Sequence, residues 1–315
     1  MKRVFFLLFI VVFFTGNAPA QLPETWRAHD SEIFTLALSP DGKHLLTACY
    51  DGIVIIWDTK TGKKVKEIFA HEDAINAAVF SHDGKQIYTG SSDSRIKIWN
   101  WQSGDEISNA PAHSGSVNSL VLNPVKDEFM TVGDDKSFRI WEPSPFKMLL
   151  NQVVHSTQVY DCAYSPNGHN LITVGEDAYI KIMGRSRGNI ISTIKGHEGP
   201  IRTCKYNSDG RFLATGSADM IVKIWDIRTR RERHVLKGHI ETIYSLAFME
   251  NKNILASAGD DLYVIIWDAA RGDRLKTIET NVRTKSIVFS KDGKQLFLGD
   301  TSGDVHVFDT SEFAE

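Results

Sequence analysis

The chain has 315 residues, of which 42% are hydrophobic and 24% are charged, and its formal net charge is -3. This composition is typical of a globular protein and excludes a disordered or collagen-like chain. A slightly acidic chain lacks the concentrated positive field that binds phosphate backbones, so we expect no nucleic-acid partner.

The first twenty residues have the pattern of a secretory signal peptide. Lys2 and Arg3 precede an apolar run over residues 4–14, and the small residues Ala18 to Ala20 end the segment. Because a bilayer-spanning helix needs about 20 apolar residues, we expect no membrane span. We therefore expect cleavage before Gln21 and export of residues 21–315, as one domain, to the periplasm or the extracellular space.

The rest of the chain repeats with a period of 42 residues. An apolar strand ends at each step of this period, and once more after 41 residues, at Trp57, Trp99, Trp141, Met183, Trp225, Trp267 and Phe308. Within each unit the apolar residues alternate with period two, which predicts β-strands, and pairs such as Asp-Gly predict the turns between them. Four strands of falling hydrophobicity per unit predict one blade of a β-propeller.

The spacing between a Gly-His or Ala-His pair and a Trp-Asp pair resembles that of the WD-repeat (WD40-type) β-propellers. The clearest copies are Ala28-His29 with Trp57-Asp58, Gly196-His197 with Trp225-Asp226, and Gly238-His239 with Trp267-Asp268. The resemblance covers residues 21–315 and implies an all-β fold, a seven-bladed β-propeller of four-stranded blades. Unit four departs from the pattern with Met183, and unit seven departs with Leu298, Ser302 and Phe308 in place of Thr, Asp and Trp.

The two chain ends predict how the ring closes. Only seven residues follow Phe308, too few for a further turn and an outer strand. Residues 22–28 precede His29 as an outer strand precedes each later His of the repeat. We therefore predict that this N-terminal segment is the outer strand of the seventh blade, which closes the ring and leaves no long open sheet edge.

A His, a Thr or Ser, and an Asp recur in register in six units. These residue types could form a nucleophilic triad, but a catalytic site occurs once in a chain, not six times. The family resemblance implies instead that they form, with the strand-ending Trp, a hydrogen-bonded structural tetrad inside each blade. The members are His29, Thr47, Asp51, Trp57, His71, Thr89, Asp93, Trp99, His113, Thr131, Asp135, Trp141, His155, Thr173, Asp177, His197, Thr215, Asp219, Trp225, His239, Ser257, Asp261 and Trp267.

The resemblance also implies a partner-binding face at the mouth of the central channel. In this family the residues beside the start of each first strand, and the residue before each tetrad Asp, face partners. Carried over by position, the candidate binding residues are Phe34, Tyr50, Asn76, Asn118, Asp134, Tyr160, Glu176, Arg202, Tyr244, Asp260, Arg283 and Lys285. Aromatic residues and arginine dominate binding hot spots, so this rim suits a protein or peptide.

No phosphate loop, metal-ligand spacing or hydrolase motif occurs in the sequence. We therefore expect no cofactor, no metal and no enzymatic activity, and we predict a monomeric, non-catalytic interaction scaffold. Two alternatives stay open, an exported propeller enzyme (hydrolase or oxidoreductase) and a glycan-binding module, which the Tyr-rich rim would also permit. Cys162 and Cys204 occupy one inward-facing column, where Cys acts as a small hydrophobe, and their pairing is the one candidate disulfide.

Overall fold

The computed structural model describes residues 24–314, which form 28 β-strands and one short helix, α1 (Ser311–Ala314). The predicted signal peptide, residues 1–20, lies outside the described residues. The strands form seven antiparallel four-stranded sheets. The predicted all-β, seven-bladed propeller is thereby confirmed.

Each blade is a meander in which the first strand is innermost and the fourth is outermost. The strands of blades 1 to 3 are β2 (Ile33–Leu38), β3 (His44–Cys49), β4 (Ile53–Asp58), β5 (Lys64–Phe69); β6 (Ile75–Phe80), β7 (Gln86–Ser91), β8 (Arg95–Asn100), β9 (Asp105–Pro111); and β10 (Val117–Leu122), β11 (Phe129–Gly133), β12 (Ser137–Pro143), β13 (Phe146–Val153). The strands of blades 4 to 6 are β14 (Val159–Tyr164), β15 (Asn170–Gly175), β16 (Tyr179–Gly184), β17 (Ile190–Lys195); β18 (Ile201–Tyr206), β19 (Phe212–Ser217), β20 (Ile221–Asp226), β21 (Arg231–Lys237); and β22 (Ile243–Phe248), β23 (Ile254–Gly259), β24 (Tyr263–Asp268), β25 (Asp273–Glu279). Blade 7 contains β26 (Thr284–Phe289), β27 (Gln295–Asp300), β28 (Asp304–Asp309) and the N-terminal strand β1 (Thr25–Arg27).

The ring closes between the two ends of the chain, as predicted. The innermost strands of neighbouring blades are in contact around the whole ring, including β26 with β2. Strand β1 pairs antiparallel with β28, with Trp26 opposite Val305. The ring of Trp26 packs against Trp57 of blade 1, with centroids 5.9 Å apart. The N-terminal strand therefore joins blade 7 to blade 1.

The hydrophobic core lies between the blades. One cluster contains Leu46 and Ile56 of blade 1 together with Ile75, Ile87 and Trp99 of blade 2. The middle strands are buried on both faces, whereas the outermost strands are mostly exposed. Because each blade packs on both of its neighbours, the inner strands form a rigid wall around the channel.

Blade 4 lacks the Trp-Asp pair and is stabilised in another way. Met183 is fully buried in the position of the Trp. Two residues later, Arg185 donates hydrogen bonds to both carboxylate oxygens of Glu128 of blade 3. Glu128 is 3% exposed and also accepts a 2.6 Å bond from Asn123. A paired and hydrogen-bonded buried carboxylate therefore links blades 3 and 4.

Blade 7 lacks the tetrad and uses a different carboxylate. Asp300, which is 1% exposed, accepts backbone N–H bonds of 2.8 Å from Ser302, Gly303 and Asp304. Its other oxygen lies 2.9 Å from Nε2 of His306. These bonds hold the tight turn that the tetrad Asp holds in the other blades.

Candidate docking face at the channel mouth

The pairing of the first two strands contains a β-bulge in every blade. In blade 1, Ile33 pairs with Cys49 and Thr35 with Ala48, so Phe34 is the extra, unpaired residue. The same shift occurs in the other six blades. We call the seven extra residues the bulge residues; they are Phe34, Asn76, Asn118, Tyr160, Arg202, Tyr244 and Lys285. Since a bulge redirects a side chain out of the regular pleat, the backbone itself aims these residues.

All seven bulge residues line one cavity of about 640 Å³ in the central channel. The residue two positions before each bulge residue lies at this rim. There its carbonyl accepts a hydrogen bond from the backbone of the residue that precedes the tetrad Asp. For example, the backbone N–H of Tyr50 donates to the carbonyl of Glu32, and that of Asp260 donates to Thr242. The two columns named from the sequence therefore lie together at the channel mouth.

The two sides of the channel mouth differ in how their side chains are bonded. In blades 2 and 3 the bulge residues are already hydrogen-bonded to other groups of the protein. The amide of Asn76 donates 3.0 Å bonds to Ser92 Oγ and to the carbonyl of Val117 in the next blade. The amide of Asn118 donates 2.9 Å bonds to Asp134 and to the carbonyl of Val159. These two asparagines link neighbouring blades, and Asp134 is held with them.

Blades 4 to 7 present a continuous series of stacked aromatic and cationic groups. The Arg202 guanidinium lies 4.3 Å from the ring centroid of Tyr160 and 5.8 Å from that of Tyr244. Lys285 Nζ also lies near Tyr244, 3.4 Å from the ring centroid. Such cation–π contacts fix long side chains that would otherwise move freely in solvent.

Lys285 also anchors two carboxylates at the rim. Its Nζ lies 3.2 Å from Asp260 Oδ1 and 3.9 Å from Glu32 Oε1. Burial raises the pKa of Glu32, against the opposing effect of Lys285. Blade 1 continues the rim with Phe34 and Tyr50, whose ring centroids are 6.3 Å apart.

The remaining candidates are the most solvent-accessible. Tyr50 is 58% exposed, and Glu176 and Arg283 are also exposed. The exposed and half-buried aromatic and charged groups thus extend from blade 4 through blade 7 to blade 1.

The tetrad residues lie below this rim, inside the blades. In blade 5 the indole N–H of Trp225 donates to Thr215 Oγ1 at 2.9 Å, and His197 Nε2 lies 2.8 Å from the same hydroxyl. His197 Nδ1 lies 2.9 Å from Asp219. Blades 2, 3 and 6 repeat all three links, and blade 4 repeats the two that involve His155.

Each complete tetrad joins the loop before the first strand, the second strand, the tight turn and the third strand through buried polar groups. Burial favours the protonated acid, but hydrogen bonds from His197 and the backbone of Glu198 lower the pKa of Asp219. Burial lowers the pKa of His113 and of His155. These groups are engaged in the fold, where unpaired buried polar atoms would be costly.

Six segments of the chain match the sequence model of the WD40 repeat, described as WD domain, G-beta repeat. The matched segments are residues 20–58, 62–100, 104–142, 147–182, 188–226 and 230–268. The chain belongs to the WD40 family. WD40 propellers commonly act as protein-interaction scaffolds. No curated protein matches the chain in a sequence search. Strands β26 to β28 of blade 7 lie outside the matched segments, in agreement with the altered tetrad positions of this blade.

Blade 1 of this WD40 propeller contains a cysteine inside its tetrad. Cys49 Sγ lies 2.9 Å from His29 Nδ1 and 2.5 Å from Asp51 Oδ1, so the thiol stands between the two groups that bond directly in the next five blades. Within residues 24–314, this is the one group of three His, Cys, Asp or Glu side chains close enough to share a metal ion. Burial raises the pKa of Cys49 to about 12, so the thiol is protonated at neutral pH and bridges the two partners as a hydrogen-bonding group.

All three cysteines are buried and free. The candidate Cys162–Cys204 disulfide is therefore not formed, and both residues pack as small side chains in the cores between blades. None of the helices within residues 24–314 has the length and apolarity needed to cross a membrane.

One buried carboxylate of the channel wall was missed by the sequence analysis. Asp161, which is 6% exposed, accepts bonds from Ser119 in blade 3 and from Thr203, Cys204 and Lys205 in blade 5. It belongs to the column that directly follows the bulge residues: Thr35, Ala77, Ser119, Asp161, Thr203, Ser245 and Ser286. A single carboxylate in a column of otherwise small residues was the signal that could have revealed it.

Proposed function

We propose that this WD40 propeller is an exported, non-catalytic scaffold that binds a protein or peptide partner at the channel mouth. The docking face consists of the rim of blades 4 to 7 and blade 1. It comprises the bulge residues Tyr160, Arg202, Tyr244, Lys285 and Phe34, with the exposed Tyr50.

The observation that carries this proposal is the repeated β-bulge, which aims one side chain per blade into the same cavity. A bulge leaves its residue free to vary, because that residue is not needed for the sheet pairing. Five of the seven residues at this position are aromatic or cationic. Tyr and Arg at the centre of a concave site are the residue types that dominate protein interfaces.

The chemistry of the polar groups favours binding over catalysis. The tetrad imidazoles are hydrogen-bonded within the blades, and the Cys49 thiol is protonated at neutral pH. At the mouth, Lys285 is neutralised by Asp260. A general base or a nucleophile needs a perturbed group that faces substrate, and these groups are occupied by their neighbours.

The proposal of export rests on residues 1–20, whose basic start, apolar run and small-residue end are typical of a signal peptide. The full-length chain, expressed in a secreting host, is expected to yield a mature protein that begins at Gln21. Intact-mass measurement of the exported fraction tests this, and a protein that keeps residues 1–20 would contradict it.

Affinity capture from the exported fraction of the native host tests the docking face. Residues 21–315 are used as bait, beside a variant with Tyr160, Arg202 and Tyr244 changed to Ala. The matched control has Lys43, Lys85 and Lys294 changed to Ala, in exposed turns at the opposite end of the inner strands.

Circular dichroism and the urea midpoint first show that each bait is folded. A partner bound by the wild type and the control but lost by the rim variant supports the docking face. A partner retained equally by all three baits would place binding elsewhere, and the absence of any partner would favour the enzyme or glycan-binding alternatives.

A further inference from the structure

Arg202 differs from the other cations of the channel in lacking an acidic partner. Its guanidinium lies between the rings of Tyr160 and Tyr244, and its Nε is buried without a hydrogen-bond partner. Within the described part of the chain, no carboxylate lies within ion-pair distance of it. A buried N–H donor without an acceptor is costly, and it marks a position where an acceptor from outside the chain can bind.

The other two cations that line the cavity are already paired. Lys205 Nζ lies 3.1 Å from Asp161, and Lys285 Nζ lies 3.2 Å from Asp260. Arg202 is therefore the one positive charge of the cavity lining without a carboxylate at ion-pair distance. This charge is local, because the whole chain carries a formal net charge of -3.

We infer that Arg202, held between Tyr160 and Tyr244, is a subsite for one carboxylate of the docked peptide. This inference rests on the proposed docking function and specifies the chemistry of its ligand. The planar guanidinium can donate two parallel hydrogen bonds to a carboxylate, an arrangement called a fork. Because the flanking rings already restrict the Arg202 side chain, it loses little conformational entropy when it binds. Because the carboxylates of Glu32 and Asp161 also line the cavity, a phosphate dianion would be repelled more strongly than a single carboxylate.

The carboxylate has two possible sources, the C-terminus of a partner and the side chain of an Asp or Glu. Three short peptides distinguish them: acetyl-Gly-Gly-Gly with a free C-terminus, acetyl-Gly-Glu-Gly amide, and acetyl-Gly-Gly-Gly amide as the neutral control. Phenyl phosphate is the fourth probe.

Each probe is titrated into ¹⁵N-labelled residues 21–315 while the arginine Nε–H signals are followed by NMR. The Arg202 signal is assigned from its loss in Arg202→Gln. We expect at least one carboxylate peptide to shift this signal saturably, with an affinity at least about tenfold above that of the neutral amide. The carboxylate peptide that binds more tightly identifies the source.

Variants separate the fork from the charge. Arg202→Gln is expected to abolish carboxylate binding, and Arg202→Lys, which keeps the charge but not the fork, to weaken it about tenfold. Arg233→Gln, on the exposed outer strand β21, is the matched control and is expected to bind like the wild type. An equal response to the neutral amide, tighter binding of phenyl phosphate, or unchanged binding in Arg202→Gln would overturn the inference.

The partner capture described above distinguishes this inference from the proposed function. A partner that is bound by the wild type and by Arg202→Gln but lost in Tyr50→Ala would support the docking face and overturn the carboxylate subsite. Saturable carboxylate binding at Arg202 together with no captured protein would support the subsite and contradict the docking function.

Discussion

Asp161 offers the sharpest test of how the blades are held together, and Asp161→Ala is the perturbation. The side chain accepts five hydrogen bonds from three blades: Oδ1 from Ser119 Oγ (2.7 Å) and Cys162 N (2.8 Å), and Oδ2 from Thr203 Oγ1 (3.1 Å), Cys204 N (2.9 Å) and Lys205 Nζ (3.1 Å). Alanine removes every acceptor at once.

The expected loss follows from which donors can reach water. The N–H groups of Cys162 and Cys204 belong to fully buried residues, and each one left without an acceptor costs about 1–3 kcal/mol. Lys205 is 40% exposed at its side chain, so losing its ion pair adds at most about 1 kcal/mol. We therefore expect Asp161→Ala to lower the free energy of unfolding by about 3–5 kcal/mol.

The same column supplies a matched control. Ser245 accepts one bond, from the backbone N–H of the buried Ile287 at 3.1 Å, so Ser245→Ala leaves a single donor unsatisfied and is expected to cost about 1–3 kcal/mol. Equilibrium urea unfolding, followed by tryptophan fluorescence, measures both variants against the wild type. If Asp161→Ala costs no more than Ser245→Ala, the carboxylate does not link the blades and the reasoning is refuted.

Three further predictions concern the tetrads, acid stability and ring closure. Asp219→Ala should lower the free energy of unfolding by about 2–4 kcal/mol, because it removes the acceptor of His197 Nδ1 and of the backbone N–H groups of Glu198 and Ile221. Partner capture should stay intact at a permissive temperature, and selective loss of capture without a change in stability would contradict the structural role. Burial lowers the pKa of His29 from 6.5 to about 4, so the stability it contributes is complete above pH 6.5 and is lost as the pH falls, by about 2 kcal/mol at pH 5. In urea titrations at pH 7.5 and pH 5, His29→Gln should therefore show a smaller drop than the wild type, and an equal drop would count against this assignment. Deletion of residues 21–28 removes β1 and the Trp26–Trp57 contact, and should lower the free energy of unfolding by more than about 3 kcal/mol; an unchanged urea midpoint would disprove ring closure by this strand.

The repeat allowed the fold to be predicted almost completely. Seven units of alternating apolar residues specify seven sheets, because each unit can bury its apolar faces only against a neighbouring copy. The closing strand was predictable from the repeat, since residues 22–28 precede His29 as an outer strand precedes each later His of the repeat. The carboxylates that replace the missing tetrad parts in blades 4 and 7, Glu128 and Asp300, were not predictable. They act through contacts made in three dimensions by residues outside the repeated columns.

The candidate site was only partly predictable. The family resemblance implied which positions face the channel, but it treated all bulge residues alike. The structure shows that Asn76 and Asn118 bond to the next blade, while Arg202 has an unpaired Nε. The same position in the sequence thus serves the fold in two blades and leaves a free donor in another.

The sequence by itself determined the number of blades and the four strands of each blade. It could do so because the alternation of apolar residues and the spacing of turn residues are local properties that recur with the repeat. Only the tertiary structure decided how charges pair across the channel: Lys285 with Asp260, Lys205 with Asp161, and Arg202 with no carboxylate. Both ion pairs join residues of different blades that are at least 25 positions apart in the sequence. They depend on distances of a few ångströms between side-chain atoms. Coulomb energies and hydrogen bonds change steeply over such distances, and no pattern along the chain records them.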